Sequence, residues 1–453
     1  MRFVALGLVL LARATAAAPS QPAPPPKPPA SSWSVPQPVA AADTSLVEPI
    51  LLSDSSGAVH LFFADEGSGP GGPVSVLGYA RWADGHWSEP RIVLTAEEKR
   101  AIANPALTLD ERGWLHAVYG GGHWGRLEYR RAHLSELFDD GAWTAPGVLS
   151  SSGVLHSAIA FGPGRGLFIV YASYAHQVYF HRSENGGRTW TDPLALSDVN
   201  PKQEACDDPR IAVDARGRVH ALWTQFKLPR GWPPLGTFYR KSDDGGLTWG
   251  EVRQLSGLGT GRVNIAARGD DELHLVWNDA ESRERLHQWS TDGGATWSAA
   301  AAIAGLRGAS SRALAMVFDA AGTLHLVSSL GGPGGVEPIV HTTWRSDRAA
   351  WSVPERISRG MVGAQPNGLP ALAIEAGNTL HVAYKGSDGR IWSTEGRSDA
   401  PAIAARPVPT RATDLRTRLE ETSTPLRILV GVLAIMAIEA MVSGLRHRWR
   451  AAH

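Results

Sequence analysis

The sequence predicts an all-β protein: a seven-bladed β-propeller with four-stranded antiparallel blades, followed by a C-terminal transmembrane helix. Three observations carry this expectation. The 453 residues include 49 Gly and 17 Trp but only 5 Met, which suits a turn-rich sheet protein better than a helical bundle. One short motif returns seven times, every 51 to 56 residues, and such self-similarity marks an architecture built from repeated units. An apolar run, Ile428 to Leu445, stands near the C-terminus between basic residues.

Composition also excludes several classes. With 44 Lys+Arg against 44 Asp+Glu, the chain has no charge surplus that would draw nucleic acid. The single cysteine, Cys206, forbids an intrachain disulfide framework and argues against a Cys-based zinc site. There is no phosphate-cradling Gly loop between strand and helix and no zinc-ligand spacing. No cofactor and no metal are expected. Cys206 has no His/Asp pattern around it and reads as an inert thiol.

Taken in order, residues 1–18 read as a secretory signal peptide, with Arg2 ahead of an apolar core from Phe3 to Leu11 and small residues at Ala16, Ala17 and Ala18. Residues 19–31 form a Pro-rich linker, a stiff spacer that cannot build a core. The propeller is expected over residues 32–398.

Each repeat opens with an acid or Gly, a turn, and an apolar–His–apolar run: Asp54 with His60, Asp110 with His116, Asp214 with His220, Asp319 with His325 and Glu375 with His381. The third copy runs from Gly162 to Phe168, and the fifth from Arg268 to His274. All seven keep a six-residue interval. Apolar stretches on both sides make each a β-hairpin with a Gly-containing turn. A recurring His invites a metal reading, but one His per repeat scatters the imidazoles around the molecule. The expected role is packing and hydrogen bonding inside each sheet.

A second motif follows three of the hairpins: Ser183 to Trp190, Ser242 to Trp249 and Ser290 to Trp297, each with an internal Gly-Gly. Asp244 and Asp292, with Asn185 in the first copy, can accept backbone N–H groups across the turn, the Gly pair permits positive φ, and Trp190, Trp249 and Trp297 anchor the turn. Shorter relatives end at Trp87, Trp143 and Trp351. In these boxes the sequence resembles the Asp-box, or bacterial-neuraminidase-repeat, β-propellers of the sialidase superfamily. The resemblance implies that the boxes stabilise the fold away from any active site. Sialidases of this kind have six blades, and this chain counts seven. The seventh repeat lacks a sequence for its outer strand, whereas Trp33-Ser-Val-Pro36 matches Trp351-Ser-Val-Pro354. Residues 32–40 are therefore expected to close the ring in the last blade, removing an exposed sheet edge.

Chain direction puts the hairpin turns and boxes on one face, and the entrances of the inner strands on the other, around the central funnel. Twelve residues before each hairpin His, or before Phe168, stand Glu48, Asn104, His156, Asp208, Arg262, Ala313 and Leu369. Five of the seven are polar, which makes this ring the candidate ligand site. Arg210 follows Asp208 closely and Arg312 abuts Ala313. The sialidase resemblance implies three Arg clamping a carboxylate, a Tyr nucleophile with a nearby Glu, and an Asp acid/base. Arg210, Arg262 and Arg312 are the candidates for the clamp, with His156 and Asn104 as further ligand-binding positions; the alternative is that these Arg residues pair with Asp207, Asp208 or Glu204 and order the funnel loops. Asp208, Glu204 and Tyr174 are the candidate catalytic residues, and Asp207, Tyr119 and Tyr171 lie near the same face. The sequence departs from the family in lacking its early Arg-Ile-Pro signature, with Val47-Glu-Pro-Ile50 in blade one. Aromatic and basic residues also occur in two funnel-face loops, at His123 and Trp124 and again from Gln225 to Trp232, where Trp suits sugar stacking or a protein contact.

After a linker over residues 399–425, a transmembrane helix is expected over residues 426–446. Its eighteen mostly apolar residues, interrupted by Glu439, reach about 27 Å, enough for a bilayer core. The basic tail, residues 447–453, favours a cytoplasmic C-terminus. The sequence thus describes an exported, single-pass membrane protein whose propeller lies on the extracytoplasmic side and recognises a glycan or a cell-envelope protein at its funnel. An exo-glycosidase of exo-α-sialidase type and a non-catalytic assembly scaffold remain alternatives.

Overall fold

The computed structural model describes residues 33–41, 49–69, 72–96, 101–120, 125–307, 314–330, 338–358 and 370–411. All lie in a compact unit that begins at Trp33. They form seven antiparallel sheets, five of four strands and two in which the outer strand is split in two. Blade 1 comprises Ile50–Ser53, Val59–Gly69, Gly72–Ala83 and the broken outer strand His86–Trp87 and Arg91–Thr95. Blade 2 comprises Ala103–Leu109, Trp114–Gly120, Leu127–His133 and Gly147–Ser150, and blade 3 Val154–Phe161, Leu167–Ser173, Val178–Ser183 and Leu194–Ala195. Blade 4 is Glu204–Val213, Val219–Lys227, Gly236–Ser242 and Arg253–Gln254, and blade 5 is Thr260–Arg268, Glu272–Asp279, Glu284–Ser290 and Ala301–Arg307. Blade 6 is Leu314–Phe318, Leu324–Ser329, Ile339–Arg345 and the split Ala350–Trp351 and Glu355–Arg356. Blade 7 takes Ala371–Glu375, Thr379–Lys385 and Arg390–Arg397 from the end of the propeller and Gln37–Ala41 from its beginning.

In five of the seven blades the motif residues form a polar relay across the sheet. In blade 1, one oxygen of Asp54 accepts the backbone N–H groups of Ser56 and Ala58 at 2.8 and 3.1 Å, which closes the hairpin turn. Its other oxygen lies 3.0 Å from His60 Nε2, and His60 Nδ1 lies 2.9 Å from the Tyr79 hydroxyl on the third strand. The same relay runs Asp110–His116–Tyr129, Asp214–His220–Tyr239, Glu272–His274–His287 and Asp319–His325–His341. Burial pushes the Asp54 carboxyl up, but hydrogen bonds from His60 and Ser56 outweigh it and hold the group below its ordinary value. Asp110, Asp214 and Asp319 are lowered by the same balance. Blade 3 has Gly162 in place of the acid, and there Phe168 stacks on Phe180, 6.2 Å between centroids. Acid, His and Tyr are replaced together, so no buried polar group loses its partner.

The boxes join these relays from blade to blade. In blade 4, the Ser242 hydroxyl accepts the Gly246 N–H at 2.7 Å, while Asp244 accepts the Thr248 N–H and hydroxyl at 2.8 and 2.6 Å. These bonds, with little burial to oppose them, hold the Asp244 carboxyl at about 2. Asp292 repeats the pattern with Thr296. Asn185 accepts the Thr189 N–H at 3.0 Å but donates to its hydroxyl, so the bond survives with its direction reversed. Each box Trp packs edge-on against the aromatic of the preceding blade: Trp190 on Tyr129, Trp249 on Phe180 and Trp297 on Tyr239, at 4.9, 4.9 and 5.6 Å. Trp351 sits on His287 at 5.0 Å, and Trp33 sits on His341 at 5.0 Å. The Trp33–Trp351 match in sequence is therefore a match in role.

Closure follows from this. Gln37–Ala41 pairs antiparallel with Arg390–Arg397, and Trp33 is buried over Gly396, where a Cβ would meet the indole at 2.7 Å. The chain after blade 7 crosses the hairpin-turn face. The N–H groups of Ile403 and Arg406 donate to Ala376 and Ser55 at 2.7 Å each, and Arg411 pairs with Glu136 of blade 2 at 2.5 Å. The first part of the expected linker is thus a strap over blades 7, 1 and 2. No helix among the described residues is long and apolar enough to cross a membrane. The expected signal peptide, Pro-rich linker, membrane helix and basic tail lie outside the described residues.

Candidate functional site

The opposite face is built from interruptions. The inner strands of blades 2, 3, 4 and 5 shift register between Ala103 and Ala106, Val154 and His156, Asp207 and Arg210, and Gly261 and Asn264. Those shifts fall at the ring positions Asn104, His156, Asp208 and Arg262. An extra residue in one strand re-aims its side chain and breaks the strict alternation of faces. Asn104, Asp208 and Arg262 all have positive φ, 45, 50 and 57°, which is uncommon for residues with a Cβ and typical of functional sites. Glu48, Arg312, Ala313 and Leu369 lie outside the described residues.

The bulges bring blades 3, 4 and 5 together. His156 Nδ1 lies 2.7 Å from Asp207 Oδ1. Asp208 is buried, and its Oδ2 lies 3.8 Å from Arg262 Nε. The Arg262 N–H donates to the Thr224 hydroxyl at 2.8 Å, which pins the bulge, and its guanidinium lies 5.8 Å from the Trp232 ring. His156, Asp207 and Asp208 each bring one ligand atom to within 4.8 Å of the others, so these three residues could hold a cation. The His156–Asp207 hydrogen bond and the Asp208–Arg262 ion pair give the same groups protein partners.

The other candidates are arranged differently. Asn104 Nδ2 donates to the Leu155 carbonyl at 3.0 Å, tying blade 2 to blade 3. Arg210 donates to the Pro209 carbonyl at 2.9 Å. Glu204 accepts from Gln225 at 2.8 Å. Tyr174 is half-buried at the loop after the second strand of blade 3, whereas Tyr119 and Tyr171 are core residues, the latter stacked on Tyr179 and His181. Cys206 is buried, and burial pushes its thiol up to about 12, which leaves it protonated and inert. Of the three clamp candidates, Arg262 faces Asp208 and Arg210 donates to the carbonyl of Pro209, while Arg312 lies outside the described residues. Two features escaped the sequence reading. One is the pairing of adjacent Asp207 and Asp208 around a single site, which alternation would have sent to opposite faces. The other is the contact of Trp232 with Arg262. The Asp-Asp pair at a ring position and the long Trp-bearing loop were the available signals.

Residues 27–208 match the BNR repeat-like domain family. No curated protein sequence matches the chain. Among solved structures, a polysaccharide lyase of family PL25, an ulvan lyase, has a TM-score of 0.51 at 12% identity, covering 84% of this chain and 98% of that chain. The NanB sialidase from Streptococcus pneumoniae has a TM-score of 0.46 at 13% identity, covering 79% and 70%. The intramolecular trans-sialidase from Ruminococcus gnavus has a TM-score of 0.43 at 14% identity, covering 82% and 97%. The seven antiparallel blades make this chain a β-propeller, and its residues 27–208 are similar to the BNR repeat-like domain. At these identities the lyase likeness shows a shared fold and no shared activity.

Proposed function

We propose that the protein recognises an acidic glycan at its central funnel, on the side formed by blades 3 to 5, as an exported and membrane-tethered propeller. The observation that carries this reading is the cluster of His156, Asp207, Asp208 and Arg262 beside the exposed face of Trp232. Sugars present polar edges and an apolar ring face, and a hydrogen-bonding cluster next to an indole answers both. Arg262 supplies the anion preference, because a guanidinium pairs two donors with one carboxylate or sulfate. The apolar run at 428–445 and its basic flank support the tether, and the described chain leaves the propeller at Arg411, on the hairpin-turn face.

Full-length protein in detergent, applied to an array of acidic and neutral glycans and assayed with a fluorogenic sialoside, tests the reading. Saturable binding of acidic glycans without turnover is expected. Arg262→Ala weakens it by roughly tenfold or more, since an Arg that pairs a buried anion is costly to remove. Turnover of the sialoside would make the protein an exo-glycosidase. Absence of any glycan binding would leave the scaffold.

A further inference from the structure

The loop joining the second and third strands of blade 4 is an insertion on the funnel face. It spans eight residues, 228–235, whereas the corresponding loops of blades 3 and 5, residues 174–177 and 280–283, have four each. Its side chains are unusual for a surface loop. Trp232 is 48% exposed, and Leu258, on the neighbouring connection into blade 5, is 71% exposed. With Leu228 and Leu235 they line a cleft of about 520 Å³, and Lys227 and Arg230 stand at its rim. That volume falls in the range of small-ligand pockets, roughly 300–1,000 Å³. The cleft is not isolated: Trp232 is the residue on which the Arg262 guanidinium rests, so its wall is also the edge of the ring site.

We infer that this cleft is a second sugar subsite, adjoining Arg262, so that the protein takes an anionic oligosaccharide of two or more units rather than a single terminal sugar. The inference rests on the funnel reading above and adds the length of the ligand and the residue that senses it. With an acidic sugar at Arg262, the neighbouring unit lies over Trp232, its C–H face on the indole and its hydroxyls toward solvent. Lys227 and Arg230 at the rim complement the further negative charges of such a chain. A neutral glycan gains the stacking but not the rim, and a monosaccharide reaches Arg262 and the near edge of the indole but does not fill the cleft.

The test is isothermal titration of the full-length protein with acidic oligosaccharides of one to six units: galacturonates, hyaluronan fragments and oligosialic acids. For the wild type, affinity is expected to rise between one and three units and then level off. Trp232→Ala should erase that rise, so that affinity no longer grows with length whatever its value for a single sugar, a loss of roughly tenfold or more for the longer chains, as for a buried aromatic anchor. Trp232→Phe, which keeps a ring face, should restore most of it. Arg262→Ala should weaken binding at every length. Single-sugar binding with no gain in length, or a gain that Trp232→Ala does not touch, overturns the subsite and leaves the funnel reading standing. Failure of every acidic glycan to bind overturns both. Capture of a protein through Trp232 with no glycan binding likewise overturns both.

Discussion

The two faces of this propeller are made from the same strands by opposite rules. On the hairpin-turn face, one solution repeats: an acid closes a turn and holds a His, the His holds a Tyr or a second His, and the next blade's Trp packs on that partner. Where blade 3 departs from it, the whole polar set is exchanged for Phe168 on Phe180. On the entrance face, blades 2 to 5 offer four different residues at the same bulge, three of them in a conformation that side chains disfavour. The uniform face carries stability because the same local solution serves blade after blade, in five of the seven as the full relay. The varied face carries recognition because a ligand needs unlike groups at one place. The comparison predicts that changes to the first face cost stability, and changes to the second cost binding.

The largest effect belongs to the ring closure. Removing residues 33–41 strips the outer strand from blade 7, exposes its edge, and leaves His341 without the indole that covers it. Losing a buried Trp alone costs about 3–5 kcal/mol, which lowers the melting temperature of a domain of this size by about 4–7 °C, and loss of the strand's pairing adds to that. An unchanged melting temperature would mean that the ring closes by other means.

Acid should strike the uniform face next. His287 is held at about 2 and His341 at about 3, each by burial and by the charge of its partner His. Unfolded, both would bind protons near the ordinary value of about 6.5. The unfolded chain therefore takes up more protons, and stability falls as pH drops below about 6.5. The relay carboxylates add a second limb. Glu272, held at about 2 because hydrogen bonds from His274, Ser346 and Arg268 outweigh burial, stabilises the fold above its unfolded value and loses that contribution as pH falls toward 2. Melting temperatures from pH 8 to pH 3 should decline in these two stages. A double variant, His274→Phe with His287→Phe, should shrink the first stage and leave the part owed to His341. A flat profile in the wild type would remove the relays from the account of stability.

How much of this was legible in the sequence follows the same division. The hairpins, the boxes and the closing strand could be read because each is a local pattern, repeated, with Trp33 answering Trp351. The ring positions could be counted, because the inner strands keep a common spacing to the hairpin. The ring residues could be read only as alternatives, Arg as part of an anion clamp or as the partner of Asp207, Asp208 or Glu204, and the structure sets Arg262 beside Asp208. A bulge overturns the alternation from which side-chain direction is inferred, so Asp207 and Asp208 meet His156 together. The partner of Arg262 depends on contacts between blades 4 and 5, 54 residues apart by ring position. The partner of the box Trp was hidden for the same reason: it stands on the preceding blade, not in its own sheet.

A glycine change separates the faces more finely. Gly246 in the second box has φ of 83°, and a Cβ there would run into the Phe180 ring of blade 3. Gly246→Ala should cost about 1–3 kcal/mol from backbone strain alone, with the steric conflict added, and leave glycan affinity unchanged at a temperature where the variant is folded. Denaturant titration beside the array assay measures both. A loss of affinity with intact stability would place the box face in recognition.

The smallest expected change in stability comes from the opposite experiment at Asn104. Its φ of 45° is a conformation that Gly adopts freely, and Asn tolerates it better than most residues. Asn104→Gly relieves the residual strain but removes the side-chain bond to Leu155, worth about 0.5–1.5 kcal/mol in a typical case. The two contributions oppose one another, and greater freedom of the unfolded chain at Gly also weighs against the variant. The melting temperature should therefore move by only about 1–2 °C. Binding should respond more, because Asn104 ties blade 2 to the His156 strand and so positions the blade 3 side of the cluster. Affinity for acidic oligosaccharides should fall several-fold while stability stays close to wild type. If instead the melting temperature drops by as much as in Gly246→Ala and affinity is retained, the entrance bulges serve the fold in the same way as the turns do, and the division between the two faces fails at the residue where it is most sensitive.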